Sequence, residues 1–371
     1  MKYYIIAGEA SGDLHASNLM RALSELDSSA QFRYIGGDLM KDAGGSMLRH
    51  YKSTAYMGVW PVITHLRTIL SAGKECFYDI KAFQPDIVIL VDYPGFNLSI
   101  AKMVKKAKLN ARVFYYISPK LWAWKSYRIK TIKKYVDKMY SILPFEVEFF
   151  ERFNYKIEYV GNPSVDSVYE YKQKNIPVIE TKEPIIAILA GSRKQEITRN
   201  LPVMLDALKQ YKGYRFILAG APSIEPEFYQ KIIKEFPVEV LFGKTYQILD
   251  SAYAALVTSG TAALETALFN VPQVVCYKMP LGRFVNFMRR FVIKCKYVTL
   301  INLIDNSPII PEIVSHVTKN LICKELTQLL EKDSEQRNRQ LAGYERVHSA
   351  LGEPRAARNT ALRILSEISQ K

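Results

Sequence analysis

Long apolar runs are what this sequence most clearly lacks. No uninterrupted run approaches the ~18 residues that a transmembrane helix requires. The N-terminus, MKYYIIAGEASGD, meets a glycine and an acid too soon for a signal peptide. The chain is therefore expected to remain in the cytosol without crossing a membrane. Cysteine is scarce too: Cys76, Cys276, Cys295 and Cys323 are widely separated and show no C-x-x-C spacing, which reads as free thiols in a reducing compartment. The five histidines, His15, His50, His65, His316 and His348, form no H-E-x-x-H motif, so no zinc site is expected. There is no zinc finger, RNP-like strand or GXXG loop to mark a nucleic-acid reader.

What is present is a chain of 371 residues, 49% of them hydrophobic, enough to fill two ordinary cores. Its formal charge of +15 asks for an anionic partner: nucleic acid, a phosphorylated substrate or an anionic lipid surface.

The most informative stretch is Ala254 to Phe269, AALVTSGTAALETALF. An apolar run ending at Val257 reads as a strand, and Thr258-Ser259-Gly260-Thr261 turns it into an Ala/Leu-rich helix carrying Glu265. Such a turn leaves the first N–H groups of the helix unpaired beside hydroxyls and a glycine, a place for phosphate. The bland reading is a strand-to-helix turn with Ser259 or Thr258 as N-cap. Ile185 to Ala190 followed by Gly191-Ser192-Arg193-Lys194-Gln195-Glu196 repeats the construction, and two such turns in one α/β unit suit a diphosphate.

The first half also alternates strands and helices. Tyr3 to Ala7 runs into Gly8-Glu9-Ala10-Ser11-Gly12-Asp13, which lacks the third glycine of a dinucleotide fingerprint and puts acids where phosphate would sit; it fits a neutral, hydroxyl-rich ligand or a solvated turn. The buried-type strand Ile87 to Val91 ends at Asp92, where parallel sheets place their chemistry. Asp92 is either a proton acceptor raised by desolvation or an Asx-turn residue. Asn162, in Gly161-Asn162-Pro163, is either a ligand donor or part of an ordinary turn.

Cations are unevenly spread. From Lys102 to Lys138 there are twelve Lys or Arg and a single acid, Asp137. This band contains Ser118-Pro119-Lys120-Leu121-Trp122-Ala123-Trp124-Lys125, with Arg128 beyond, and suits base stacking, a sugar phosphate or a lipid headgroup. Two amphipathic stretches, Tyr56 to Phe77 and Met279 to Val298, are either core helices or helices lying against a bilayer. The polar run Tyr171 to Pro184 reads as a linker, which sets the domains at 1–182, 183–345 and a helical tail 346–371 that packs back on the first.

Taken in order, AGEASGD at 7–13, VDYPGFN at 91–97, SPKLWAW at 118–124 with Arg128, LPFE at 143–146, GNP at 161–163, GSR at 191–193 with Glu196, SGTAALE at 259–265 and YVTLINL at 297–303 resemble the lipid-A-disaccharide synthases over nearly the full length. The resemblance implies an α/β protein of two doubly wound Rossmann-like domains facing across a cleft, the GT-B type. The implied reaction moves 2,3-diacylglucosamine from UDP-2,3-diacylglucosamine to 2,3-diacylglucosamine 1-phosphate. It forms a β(1→6) disaccharide with inversion and releases UDP, at the inner face of a Gram-negative inner membrane with an anionic surface as partner. No nucleic acid, cofactor or catalytic metal is expected.

By the same resemblance the C-terminal unit holds UDP through Gly191, Ser192, Arg193, Gly220, Ser259, Gly260, Thr261, Glu265 and Asn302, with Glu265 facing the ribose. The N-terminal unit holds the acceptor through Ser11, Asn97, Ser118, Trp122, Trp124, Arg128 and Asn162. Asp92 is the first choice of base, with Glu9 and Asp13 behind it. Many relatives carry a second acid where this chain has Gly95, so that carboxylate takes no part here. Ile301 stands where many have proline, before the Asn302-Leu303 pair. Two other readings remain: a GT-B transferase with another UDP-sugar and lipid acceptor, and a non-catalytic sugar-nucleotide-binding module.

Overall fold

A computed structural model describes residues 1–53, 66–123, 126–258, 260–278 and 296–369. Trp124, Ser259, Cys295, most of the Met279–Val298 stretch and the aromatic entry of the Tyr56–Phe77 stretch lie outside these residues. The chain forms two units, Met1–Pro163 with Glu353–Lys371, and Ser164–Gly352. Each is a doubly wound α/β domain of the Rossmann kind, as the alternating pattern requires.

In the first unit seven parallel strands run β1 (Lys2–Ala7), β2 (Gln31–Gly36), β3 (Ser46–His50), β4 (Ile87–Val91), β5 (Arg112–Tyr116), β6 (Lys138–Ser141) and β7 (Glu158–Tyr159). Their spatial order is β3-β2-β1-β4-β5-β6-β7. Strands buried on both faces read as continuous apolar runs, and every residue from Tyr3 to Ala7 and from Ile87 to Val91 is fully buried. Alternation sorts them: Tyr3, Ile5, Ala7, Ile87, Ile89 and Val91 face Ala16, Leu19, Met20 and Leu23 of the helix Ala10–Leu26. Tyr4, Ile6, Val88 and Leu90 face the helices Leu66–Phe83 and Pro94–Lys106 on the other side. Ala72, Cys76 and Ile80 of Leu66–Phe83 enter this core, and Leu70 is exposed.

The second unit has six parallel strands, β8 (Ile185–Leu189), β9 (Arg215–Gly220), β10 (Glu239–Phe242), β11 (Ala252–Val257), β12 (Gln273–Tyr277) and β13 (Glu312–Val314), ordered β10-β9-β8-β11-β12-β13. Ile186, Ile188, Ala254 and Leu256 meet the helices Lys194–Leu208 and Lys319–Leu330. Ile185, Ala187, Ala255 and Val257 meet Thr261–Leu268 and Glu335–Leu351.

The unit boundary falls at Pro163/Ser164, not near Lys182. The polar run read as a linker is stitched into the second unit: Ser251 Oγ accepts from the Ile179 N–H at 2.8 Å, Gln247 Nε2 donates to the Pro177 carbonyl at 2.7 Å, and Val168 and Tyr171 join its core. The helix Glu335–Leu351 likewise continues past 345 to Gly352, whose φ of +70° and N–H bond to the His348 carbonyl end it. The last helix, Ala356–Ser369, belongs to the first unit. Ala361 and Ile364 enter that core, Asn359 donates to the Val160 carbonyl at 3.2 Å, and Lys138 pairs with Glu367 at 2.5 Å.

A buried amide network ties Thr261–Leu268 to its sheet. Gln340 accepts from the Gln273 N–H at 2.8 Å and donates to the Gln273 carbonyl at 3.1 Å, standing in for a strand beside β12. Gln273 Nε2 donates to the Ala263 carbonyl at 3.0 Å, and the Tyr344 hydroxyl donates to Gln340. Truncating Gln340 strands several of these groups, each worth about 1–3 kcal/mol when buried and unpaired. Gln340→Ala is expected to destabilise the fold by roughly 3 kcal/mol or more, read as a lower midpoint in urea denaturation.

Candidate active site

Both sheets reverse their strand order once, between β1 and β4 and between β8 and β11. At such a point the loops leaving the two strands diverge and open a crevice at the carboxyl ends. The Glu9 and Asp92 turns leave β1 and β4; the Gly191 and Gly260 turns leave β8 and β11. Two of the sequence motifs in each unit therefore converge on one crevice.

In the first unit the Asp92 turn is conformationally strained. Asp92 and Tyr93 both adopt φ of +44°, a left-handed geometry costing about 1–3 kcal/mol at a non-glycine residue. Several contacts hold it. Asn97 Nδ2 donates to the Asp92 carbonyl at 2.7 Å and to the Val91 carbonyl at 3.1 Å. The Tyr115 hydroxyl donates to the same Asp92 carbonyl, and the Asp92 N–H bonds the Tyr116 carbonyl at 3.2 Å. The Tyr93 ring lies over Gly8, where any Cβ would fall 2.3 Å from it, so the glycine of the first motif seats the turn of the second. Burial raises the Asp92 carboxyl to about 6, the nearby Glu9 carboxylate adds to the rise, and Lys120 opposes it. Glu9 accepts from the Ser11 hydroxyl at 2.9 Å.

Asp13 has a different task from the one expected. Its carboxylate accepts from the N–H groups of Gly37, Leu39 and Met40 at 2.6, 3.1 and 3.2 Å, capping the helix Asp38–Ala43. Its oxygens are thus engaged in structure, whereas Asp92 and Glu9 lie on the turns that leave β4 and β1. Asn97, expected on the acceptor, is fully buried, and its amide nitrogen donates to the Asp92 carbonyl. Asn162 is also buried and donates to the Ile142 carbonyl at 2.9 Å, bracing the loops after β6 and β7.

Beside Asp92, β5 ends at another strained residue, Ile117 with φ of +65°, which swings the chain into Ser118–Trp122. Ser118 and Trp122 converge on buried Glu146, and Trp122 packs edge-on against Phe145 at 5.2 Å. Arg128 lies within electrostatic reach of Tyr115.

In the second unit the Thr258 N–H bonds the Leu189 carbonyl at 2.8 Å, holding the two turns side by side. Gly260 has φ of +143° and open space where a side chain would be. It occupies the N-cap of Thr261–Leu268 and offers no side-chain acceptor to the first N–H groups. The Thr258 hydroxyl is buried and has no partner among the described residues. A glycine at the start of a helix beside a hydroxyl is an arrangement able to receive an oxyanion. One turn on, Glu265 accepts from the Tyr246 hydroxyl at 2.8 Å, and burial raises its carboxyl pKa.

Across the crevice Gly191 has φ of +115°, the Ser192 N–H bonds Glu196 at 3.2 Å, and Arg193 pairs with Glu196 at 3.0 Å while remaining largely exposed. Gly220 and Asn302 serve packing in this geometry. A Cβ on Gly220 would fall 2.5 Å from the Phe242 ring. Asn302 donates to the Ile310 carbonyl and to Glu312, both at 3.0 Å, and accepts from the Ile310 N–H at 3.0 Å; its amide holds a loop rather than facing a ligand.

Tyr115, Lys120, Glu146 and Tyr246 were not singled out by sequence for these positions. Lys120 and Glu146 stood inside recognised motifs, but the desolvation and partners that give them significance are long-range. No group of His, Cys, Asp and Glu among the described residues is arranged to hold a metal ion.

Two Rossmann-like units of this kind make up the GT-B architecture. The Neisseria meningitidis UDP-GlcNAc 2-epimerase bound to UDP-GlcNAc has the same fold, with a TM-score of 0.69 at 13% identity and all of both chains covered. Residues 3–364 match the family described as Lipid-A-disaccharide synthetase. The lipid-A-disaccharide synthase of Syntrophus aciditrophicus is 34% identical over 99% of this chain and 97% of its own. That of Nitrosococcus oceani is 34% identical over 94% and 92%. The chain belongs to this family, and with it to the enzymes that form the lipid A disaccharide by glycosyl transfer.

The Tyr115 hydroxyl acts on the Asp92 backbone without touching its carboxylate, so Tyr115→Phe tests the clamp. A kcat lower by about tenfold is expected, since one hydrogen bond to a buried carbonyl is worth about 1–3 kcal/mol. The KM for the nucleotide sugar should be unchanged, and steady-state kinetics at saturating acceptor measure both.

Proposed function

We propose that the chain transfers 2,3-diacylglucosamine from its UDP derivative to 2,3-diacylglucosamine 1-phosphate, with Asp92 as the base. The observation that carries this is the desolvated, raised carboxyl of Asp92 on a strained turn at the switch point of the first unit. A carboxyl near 6 is roughly nine-tenths ionised at pH 7 yet more basic than an ordinary aspartate, which suits general-base work. The acceptor's primary hydroxyl gives its proton to Asp92 as its oxygen bonds to the anomeric carbon, and the bond from that carbon to UDP breaks on the opposite face. The configuration inverts.

The leaving diphosphate gathers negative charge as that bond breaks. We assign its reception to the first N–H groups of the helix Thr261–Leu268, the Thr258 hydroxyl and Arg193, a reading supported by the glycine N-cap of that helix. Ser259 and Ser192 would add donors. Glu265, steadied by Tyr246, faces the neutral ribose, because a carboxylate beside the diphosphate would oppose it. Ser11, Ser118, Trp122, Trp124 and Arg128 line the acceptor side. Unit 1 is thus the acceptor domain and unit 2 the UDP-sugar domain.

The acceptor and product carry acyl chains, so the enzyme works at a membrane surface. No helix among the described residues is long and apolar enough to cross one. The basic helices Pro94–Lys106 and Ile129–Tyr135 pack together and expose Lys102, Lys106, Lys130 and Lys134, a cationic face for the anionic inner leaflet. Sedimentation with anionic vesicles should be strong at low salt and weak at high salt; equal binding to neutral vesicles would remove this face from the account.

The deciding experiment incubates the protein with both diacylated sugars and follows UDP release and product mass. Asp92→Asn should lower kcat by about 10²–10⁴-fold while UDP binding is retained. Wild-type protein that binds UDP but forms no disaccharide would instead support the binding module. Glu9→Gln removes the like charge beside Asp92, so the acid limb of kcat/KM should move to lower pH than in wild type.

A further inference from the structure

Glu146 is the second residue of the short helix Phe145–Glu151 and is only 1% exposed. A carboxylate removed from water needs donors around it. Its Oε2 accepts from the hydroxyls of Ser118 and Ser141, and its Oε1 accepts from the Trp122 indole at 2.8 Å. Ser141 ends β6, whereas Ser118 and Trp122 bracket the loop that leaves β5. One side chain therefore ties both ends of that loop to the neighbouring strand, and the Trp122–Phe145 contact closes the same knot.

Between the tied ends stands Lys120, exposed and held by a short stretch of backbone. Its ammonium favours the ionised forms of both Asp92 and Glu146, so it lies within electrostatic reach of each. The groups acting on Asp92 are Glu9 from the turn after β1 and Lys120 from this loop, with Tyr115 of β5 alongside and Arg128 beyond it. Those acting on Glu146 are Lys120 and its three neutral donors; burial raises Glu146 to about 7 against them.

We propose that Glu146 is a positioning residue for glycosyl transfer, gathering Ser118, Ser141 and Trp122 so that their loop carries Lys120 to Asp92. The proposal rests on Asp92 being the base. Without Lys120 the ionised form of Asp92 loses a favourable charge, and its titration moves to higher pH. A purely structural carboxylate would lower stability and leave that titration where it was.

The test compares pH profiles of kcat/KM for wild type, Glu146→Ala, Lys120→Met and the double variant. Each single variant should move the acid limb upward, and the double variant no further than the larger single shift. In Glu146→Ala kcat should fall on the order of tenfold to a hundredfold, with the KM for the UDP-sugar unchanged. An unmoved acid limb in Glu146→Ala, or two shifts that add in full, overturns the proposal. Should Glu146→Ala fail to fold, Ser141→Ala removes one donor and must move the limb in the same direction.

A second readout does not depend on Asp92. In a Trp60→Phe/Trp124→Phe background, Trp122 emission should titrate with Glu146 and cease to do so when Glu146→Gln is added. If Asp92→Asn keeps full activity while this titration is present, the base assignment fails and the gathering of the loop stands. Emission that is flat, or that titrates unchanged with Gln at 146, refutes the gathering.

Discussion

Everything at the site depends on a constraint of parallel sheets: neighbouring connections must diverge where the strand order reverses, and only there do two strands leave their carboxyl ends uncovered. The first unit reverses at β1/β4 and the second at β8/β11. Because the strands are buried on both faces, their apolar runs admit no polar residue until they end. Glu9, Asp92, Gly191 and Gly260 are therefore found just past a strand terminus, where polarity first becomes affordable.

The first crevice converts this placement into chemistry through strain and desolvation. Left-handed backbone at Asp92, Tyr93 and Ile117 would not persist on local preference. It persists because Tyr115 and Asn97 grip the Asp92 carbonyl and the Ile117 N–H is taken by the Tyr140 carbonyl at 3.0 Å. The grip is on the main chain, and the Asp92 carboxylate keeps only the Tyr93 N–H and the charge of Lys120 to depress its basicity, which burial and Glu9 outweigh. Glu146 shows the opposite treatment: a more buried carboxylate surrounded by donors, held for position. Environment separates the tasks of two acids that share Lys120.

Much of this was legible in sequence. The buried strands, the glycine turns and Asp92 at a strand end follow from periodicity and from the rule that parallel sheets work at their carboxyl edges. What was not legible shares one physical origin. Asp13 and Asn97 looked like ligand groups because a polar residue beside a glycine turn has no visible partner in sequence; the partners are Gly37, Leu39 and Met40 for one and the Asp92 carbonyl for the other. The partners of Asn302, Ile310 and Glu312, were hidden in the same way. Tyr171–Pro184 looked like a linker because its polarity is visible and its bonds to Ser251 and Gln247 are not. Tyr115 was hidden as one more aromatic in a buried strand.

The two crevices are built from the same topology yet differ in sign, and the difference follows from what each must stabilise. In the proposed reaction, taking a proton from an alcohol needs a carboxylate whose ionised form is not over-stabilised, and the first unit sets Glu9 beside Asp92 with Lys120 as an opposing charge. Receiving the departing diphosphate of that reaction would need fixed positive potential, and the second unit offers a helix start whose N-cap, Gly260, has no side-chain acceptor and the exposed guanidinium of Arg193, paired with Glu196. Exchanging these environments would defeat both: an acid beside the diphosphate raises the barrier to departure, and a cation bonded directly to Asp92 lowers its affinity for the proton. The excess of positive charge along the chain is therefore compatible with an acidic crevice, because Asp92, as the base proposed, needs only local desolvation and one like-charged neighbour.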